Sequence, residues 1–414
     1  MSAPESPRIV ILGAGPSGLT LAVHLHKHSV PFSIYDLRPE PTPESLSAVS
    51  GMLDLHTESG LAALKECGLY DAFLPLTHEC GQEMRVLDSD GVIVYSDEGD
   101  LDFRPEISRH ALTKLLLSAL PQNTVKWEHK LRSASRREDG KLLLDFGSQR
   151  TVVADLVVGA DGAWSKVRRD LIPDAGKPRY TGTQFLTLTI TDITTRYPAL
   201  AKLVGEGGMM AMGKGNVISS HRGAQDSVRL YVGVGTDDEQ FARSRGLEGK
   251  TAAEVVDDYL SDEQLFGQWG DQMKELIRVA SIEETKREPG AKADVRPLYE
   301  LPPGHSWVHC PSMTLIGDAA HLMTPWAGEG ANISMWDALD LAIAIEEAWH
   351  AFSGGNGASW AQVMEPRLVN FEKMMTERAA APAGESSKNG QLVLQENGAQ
   401  LIADLFRSFG PPPE

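Results

Sequence analysis

The chain is expected to fold as an α/β protein in which a buried sheet carrying helices is interrupted by an inserted antiparallel sheet and closed by a C-terminal helix. Three stretches predict this. The apolar run Arg8-Ile-Val-Ile-Leu12 feeds directly into Gly13-Ala-Gly-Pro-Ser-Gly18 and then a helical pattern at Leu19, Leu21, Ala22 and Leu25. From about residue 179 the pattern changes to alternation, with Phe185, Thr187, Thr189 and Thr191 on one face and Gln184, Leu186, Leu188 and Ile190 on the other. That is the period of a half-buried antiparallel strand. A second apolar run then ends at Gly317-Asp318 and passes through Pro325 and Gly328-Glu-Gly330 into a helix over Ile333–Ile345.

The first element is a β-α-β unit. The strand before Gly13 is followed by a helix and by a second strand, Phe32-Ser-Ile-Tyr35, that ends at Asp36. The acid stands about 20 residues past the glycines, where a ribose hydroxyl is bound in dinucleotide folds. Gly13, Gly15 and Gly18 supply the tight turn, the close approach of backbone to a pyrophosphate, and close helix–strand packing. With an acid at Asp36 the cradle suits FAD or NAD better than NADP. The unit makes this part Rossmann-like.

Residues 39–56 form a long Pro- and Ser-rich excursion through Gly51-Met-Leu-Asp-Leu-His56, and long loops tend to be functional. Arg109 precedes a helix over His110–Leu120, an unfavourable place for a cation beside the helix dipole, and so hints at an external anion. Strands are expected at Thr124–Trp127 and Lys141–Phe146, and at the run from Ala154 that ends in Asp161-Gly162 before a helix start at Ser165, Lys166 and Arg168. Further strands, Val217–Ser220 and Val228–Val234, and a helical part, Thr251–Ala280, fill an inserted substrate domain over 179–300. Met209, Met210 and Met212 read chiefly as core. The nucleotide domain thus comprises 1–178 and 301–378. A helix to about Phe352, a loop Ser353–Ser359 and a helix through Glu377 follow. In 379–414, a polar break at Ala379–Gly390 precedes an amphipathic helix with apolar positions 392, 394, 401, 402, 405, 406 and Phe409.

Composition bounds the partners. At 414 residues the chain suggests two domains, or one large and one inserted, and 42% hydrophobic with 23% charged residues is ordinary for a soluble globular protein. A net charge of −18 without a Lys/Arg cluster argues against nucleic acid and anionic membrane. Cys67, Cys80 and Cys310 form no pair motif, which points to a reducing compartment. The first residues lack the apolar core of a signal peptide, and no run approaches the roughly 18 apolar residues of a membrane span. A cytoplasmic monomer is expected.

Taken together, Gly13-Ala-Gly-Pro-Ser-Gly18, Asp161-Gly-Ala-Trp-Ser-Lys-Val-Arg168 and Gly317-Asp-Ala-Ala-His321 with Pro325 and Gly328-Glu-Gly330 resemble the class A single-component FAD monooxygenases. The resemblance runs over nearly the whole chain. Gly51–His56, Glu106-Ile-Ser-Arg109, Tyr180-Thr-Gly-Thr183 and the separate C-terminal helix look most like the tetracycline-inactivating branch. It implies a Rossmann-like FAD-binding domain, an inserted antiparallel-sheet substrate domain and a C-terminal bridging helix. FAD would lie on Gly13, Gly15, Ser17, Gly18, Asp36 and Arg38, with Asp54, Arg109, Asp161, Asp318, Pro325, Gly330 and Asn332 also at the cofactor. Thr187, Met210, Trp326, Gly328 and Glu329 would meet the substrate. The chain departs from that branch in three places: Ser47 stands where it has an arginine proposed to meet NADPH, Thr187 stands for a glutamine, and the region around Met209 lacks an arginine.

The residues suit such chemistry. Only one dinucleotide cradle is present, so NADPH or NADH would visit transiently as co-substrate. The N–H groups at Gly328–Asn332 can stabilise the negative charge of reduced flavin. Oxygen would add to give a C4a-hydroperoxide, which transfers one atom to an electron-rich, polycyclic or aromatic phenolic or enolic molecule, with a tetracycline as one candidate. The hard step belongs to the cofactor, so no catalytic side chain is required, and His321 is read as a capping or packing residue. A hydroxylase without tetracycline activity, a flavin reductase or halogenase, and a flavin-binding sensor remain the other readings.

Overall fold

The strand Ile9–Leu12 is buried at every position, because Ile, Val and Leu on both faces leave no side for water. It lies at the centre of a five-stranded parallel sheet in a computed structural model that describes residues 6–77, 81–99, 104–172, 174–287, 289–354 and 357–408. The strand order is Met313–Leu315, Leu156–Gly159, Ile9–Leu12, Phe32–Tyr35 and Val125–Lys126. Helices Pro16–Lys27, Arg109–Ser118 and Gly330–Ser353 pack into the same core, as does a three-stranded meander of Ser133–Arg136, Leu142–Asp145 and Thr151–Ala154. The carboxyl ends of Ile9–Leu12, Leu156–Gly159 and Met313–Leu315 all point to one edge, where ligands bind in open α/β sheets.

The second sheet has seven strands, ordered Val295–Glu300, Arg179–Ile190, Ser227–Gly235, Asn216–Gly223, Gly208–Gly213, Met84–Asp88 and Ile93–Asp97. Its Leu186, Leu188 and Ile190 face the helices Ala252–Ser261 and Asp271–Arg287, while Phe185 faces the other way, as the alternation predicts. Three expectations need correction. Residues 84–97, assigned to the nucleotide domain, pair with the inserted sheet, Met84–Asp88 running parallel to Gly208–Gly213. Their runs Met84-Arg-Val-Leu87 and Val92-Ile-Val-Tyr95 around Ser89-Asp-Gly91 carry a hairpin signal, but which sheet takes the hairpin up is a matter of long-range pairing. The sheet is also not half-exposed, since Phe185 to Ile190 are buried on both faces. The helical part is two helices, broken at 262–270, where Gly270 would place a Cβ 2.5 Å from the Asp90 carbonyl oxygen.

The polar break at Ala379–Gly390 is the largest correction. One helix runs from Trp360 to Val393, through Pro366 and Pro382. At Gly390 the small residue reflects close packing, since a Cβ there would lie 2.7 Å from Trp326 Cδ1, whereas one on Gly384 would meet nothing within 4 Å. Ser386 exchanges hydrogen bonds with Thr324, its hydroxyl 2.7 Å from Thr324 Oγ1. This helix carries Met364, Leu368, Phe371 and Met375 in the core of the parallel sheet and Val393 in the cluster with Phe185 and Met212. The last helix, Gly398–Ser408, adds Ala399, Ile402 and Ala403 to that cluster. The bridge across the two sheets therefore exists, made by both helices. Cys80 and Phe409 lie outside the described residues.

Candidate active site

The glycine cradle separates its roles geometrically. Gly13 has φ +109° and would put a Cβ 2.1 Å from the Ala160 carbonyl oxygen, and Gly18 would put one 2.0 Å from the Gly13 oxygen. These two exist for backbone packing. A Cβ on Gly15 would meet nothing within 4 Å, so Gly15 faces open groove. No side chain caps the helix that follows, which leaves its first-turn N–H groups, among them those of Ser17 and Gly18, as free donors at the positive end of the dipole. The residues fit a pyrophosphate. Asp36 closes the cradle: its carboxylate accepts the Ala14 N–H at 2.7 Å and the Arg38 N–H, Nε and Nη2 at 2.8, 2.9 and 2.9 Å. Burial pulls this carboxyl up, yet the Arg38 and Ala14 bonds outweigh it and hold it below the usual range. All its acceptor directions are used, so a ribose hydroxyl reaches Asp36 by displacing Arg38, whose side chain is 57% exposed.

Deeper along the edge, Arg168 is buried and donates to the Ala319 carbonyl at 2.7 Å, pinning the Asp318 turn to the Asp161 segment. Asp161 itself accepts the Lys166 N–H at 2.8 Å and serves as a helix-start acceptor. Asp318 has solvent on its carboxylate but protein crowding around it. That desolvation pushes its carboxyl above the usual range, partly offset by the positive charges of His321, Arg109 and Arg168. His321 has the structural role expected of it, with Nε2 2.5 Å from the buried Asp337.

The second helix start lies at Gly330. Gly328 has φ +71°, and no side chain caps Gly330–Ser353, so the N–H groups of Gly330, Ala331 and Asn332 stay open. The Asn332 side chain is occupied: Oδ1 accepts the His56 N–H at 2.9 Å, and Nδ2 donates to the Asp54 carbonyl at 2.9 Å. Asn332 therefore offers a ligand its backbone while its amide locks the Asp54–His56 segment in place. Arg109 is exposed at the start of its helix; its N–H donates to the Gly51 carbonyl at 2.9 Å, while its guanidinium has no hydrogen bond or ion pair among the described residues. Gly51 lies against it, where a Cβ would come within 2.8 Å of Tyr231 Oη and 3.7 Å of Arg109 Nε.

His56 is a functional candidate that sequence reasoning left unassigned. Its Nε2 is 3.0 Å from Asp54 and its Nδ1 3.4 Å from Glu329, so the ring bridges a cofactor candidate and a substrate candidate. Hydrogen bonds to Asp54 and Glu329 push it up to about 9. A raised histidine stabilises the fold fully below its unfolded value of 6.5, and the contribution is lost as pH rises through about 9. Thermal unfolding of wild type and His56→Gln across that window checks this: the melting temperature of wild type should fall more steeply with pH, and parallel curves would refute the pairing.

The sheet face opposite the groove carries Phe185, Thr187 and Tyr231, with Met210 beside them and Trp326 edge-on to Phe185 at 5.5 Å. Thr187, Arg229, His110, Ser45 and Glu284 line a cleft of about 520 Å³ that adjoins the groove without including its glycines. The Thr187 hydroxyl, Arg229 Nε and Glu284 Oε2 are buried there without partners. Across from it, His221 lies 3.4 Å from Glu106. Tyr231, His221 and Arg229 were not singled out from the sequence. Alternation along Val228–Val234 puts Arg229 and Tyr231 on one face, but their meeting with Thr187, and the place of His221, depend on strand register.

A nucleotide cradle, a second uncapped helix start beside a free arginine, and a polar sheet face opposite them define a flavin-dependent oxidoreductase acting on a small molecule. The chain belongs to the FAD binding domain family, matching it over residues 7–258 and 311–351, and is an FAD-dependent monooxygenase of class A. It is 31% identical to the monooxygenase penA of Penicillium thymicola over 97% of this chain and 98% of that protein. Among solved structures, Klebsiella pneumoniae HpxO complexed with FAD and uric acid superposes with TM-score 0.73 at 16% identity, covering 97% of this chain and 93% of that one. The tetracycline destructase Tet(51) superposes with TM-score 0.65 at 16% identity, covering 99% and 100%. These two likenesses are of fold. The close sequence relatives are fungal monooxygenases rather than tetracycline-inactivating enzymes. No helix among the described residues is long and apolar enough to cross a membrane.

Proposed function

We propose that the protein uses NAD(P)H and O2 to hydroxylate a polycyclic or aromatic phenolic or enolic small molecule held between the groove and the seven-stranded sheet, as a cytoplasmic monomer. The observation that carries this is the set of orphaned polar atoms on the sheet side, Thr187 Oγ1 and Arg229 Nε, facing the cleft beside Arg109 and Gly51. A buried hydroxyl and a guanidinium N–H without partners suit an oxygen that is anionic or enolic. Bound FAD, once reduced, supplies the oxygen-activating chemistry. The chain holds its pyrophosphate on the N–H groups after Gly15 and its ribose near Asp36. The open N–H groups of Gly330–Asn332 and the Arg109 charge stabilise negative charge on the ring system. Phe185, Trp326, Met210 and Tyr231 wall the substrate side with apolar surface.

A tetracycline is one candidate of this chemical class. The test is oxidation of NADPH and NADH by purified protein with a tetracycline and a panel of phenols and enols, scored by product mass. A gain of one oxygen atom on any panel member supports the reading, and on a tetracycline it selects that substrate. Uniform peroxide release with no product on any of them would overturn it. Thr187→Val should raise KM about tenfold with little change in kcat if the hydroxyl binds substrate.

A further inference from the structure

His24 stands in the last turn of helix Pro16–Lys27 and His28 one turn further on, just past the helix end, while Glu346 and His350 stand one turn apart on helix Gly330–Ser353. The i, i+4 spacing aims each pair at the same side of its helix. The two helices pack together, and the four side chains converge. His24 Nε2 lies 3.0 Å from one Glu346 oxygen, His28 Nδ1 lies 2.6 Å from the other, and His350 Nε2 is 3.5 Å from that second oxygen. The two imidazoles of the first helix stack at 4.4 Å.

We propose that His24, His28 and Glu346, with His350 as an outer ligand, form a divalent transition-metal site of Zn2+ type that clamps the C-terminal ends of the two helices whose N-termini face the cofactor groove. The ligand set, two or three imidazoles and one carboxylate, is one that borderline-soft divalent ions prefer. Zn–N and Zn–O bonds of about 2.0–2.1 Å at tetrahedral angles require ligand atoms about 3.3 Å apart. The His24, His28 and Glu346 donor atoms lie within 4.8 Å of one another, so side-chain adjustments of about an ångström close the shell. Both helices present the negative ends of their dipoles here, His28 following the last turn of one and His350 lying in the last turn of the other.

One further feature agrees. Lys27, the nearby cation, donates its ammonium to the Glu66 carbonyl. The His24 Nδ1 atom has no partner, so a ligating ring would lack the usual outer-shell acceptor. That sets the expected affinity at roughly micromolar, well short of a structural zinc site.

The test is titration of chelator-treated holoprotein with Zn2+ alone at neutral pH, by calorimetry and by melting temperature. Wild type should take up one ion per chain at about micromolar affinity and melt at a higher temperature with it. His28→Ala and Glu346→Gln should each weaken binding by more than about tenfold, and His26→Ala, on the exposed side of the same helix, should leave it unchanged. Retained FAD absorbance in each variant shows that it is folded. Absence of stoichiometric binding in wild type overturns the proposal. So does affinity unchanged within about twofold in both His28→Ala and Glu346→Gln, since the cluster would then be only a hydrogen-bonded helix contact.

Discussion

Gly15→Val is expected to yield a folded protein without FAD. The position has φ −80°, which any residue adopts, and a Cβ there meets no protein atom within 4 Å. The apoprotein should therefore keep its stability to within about 0.5 kcal/mol, as at an ordinary surface site. The valine would occupy the space through which a pyrophosphate approaches the N–H groups of Ser17 and Gly18, and FAD affinity should fall at least about a hundredfold. Gly13→Ala is the contrasting control. At φ +109° with backbone 2.1 Å away, it should express poorly or unfold. Flavin absorbance after gel filtration, with circular dichroism of the same samples, reads both effects. A yellow Gly15→Val protein with stoichiometric FAD would remove the cofactor from this cradle.

Asp337→Ala should cost about 3–5 kcal/mol of stability. Asp337 is fully buried and accepts from His321, from the Gly317 N–H at 3.0 Å and from Arg378 at 3.0 Å. Burial alone would raise its carboxyl, but His321 and Arg378 outweigh that and hold it below the usual range. Its removal leaves His321, 9% exposed, without its carboxylate, and leaves Arg378, 15% exposed, with only Asp340 at 2.6 Å. The loss should extend to the site, since the Gly317 N–H and His321 frame the turn that presents Asp318. Asp337→Asn, which keeps an acceptor, should lose less. Urea denaturation of the holoprotein measures it, and a loss below about 1 kcal/mol would show that the network contributes little.

The sequence by itself determined the elements whose signals are local. Gly13–Gly18 after an apolar strand, Asp36 after the next, and the apolar strand leading to Asp318 each carry pattern and chemistry within one short window, so the nucleotide-binding half and its cofactor class were legible. The alternation at 183–190 likewise assigned Phe185 and Thr187 to one face correctly. Only the tertiary structure decided what depends on long-range contact. Small residues at 379–390 have the composition of a linker, yet they continue a helix that buries Ala379, Ala383 and Ser386 and sets Gly390 against Trp326. Met84–Asp88 is a strand because Gly208–Gly213 supplies its hydrogen bonds. His56 becomes a bridge because Asn332, 276 residues away, fixes its backbone. The His24–Glu346 cluster needs two helices to meet. Local pattern fixes which backbone conformations are cheap, whereas burial and pairing across the chain decide which residues share a site.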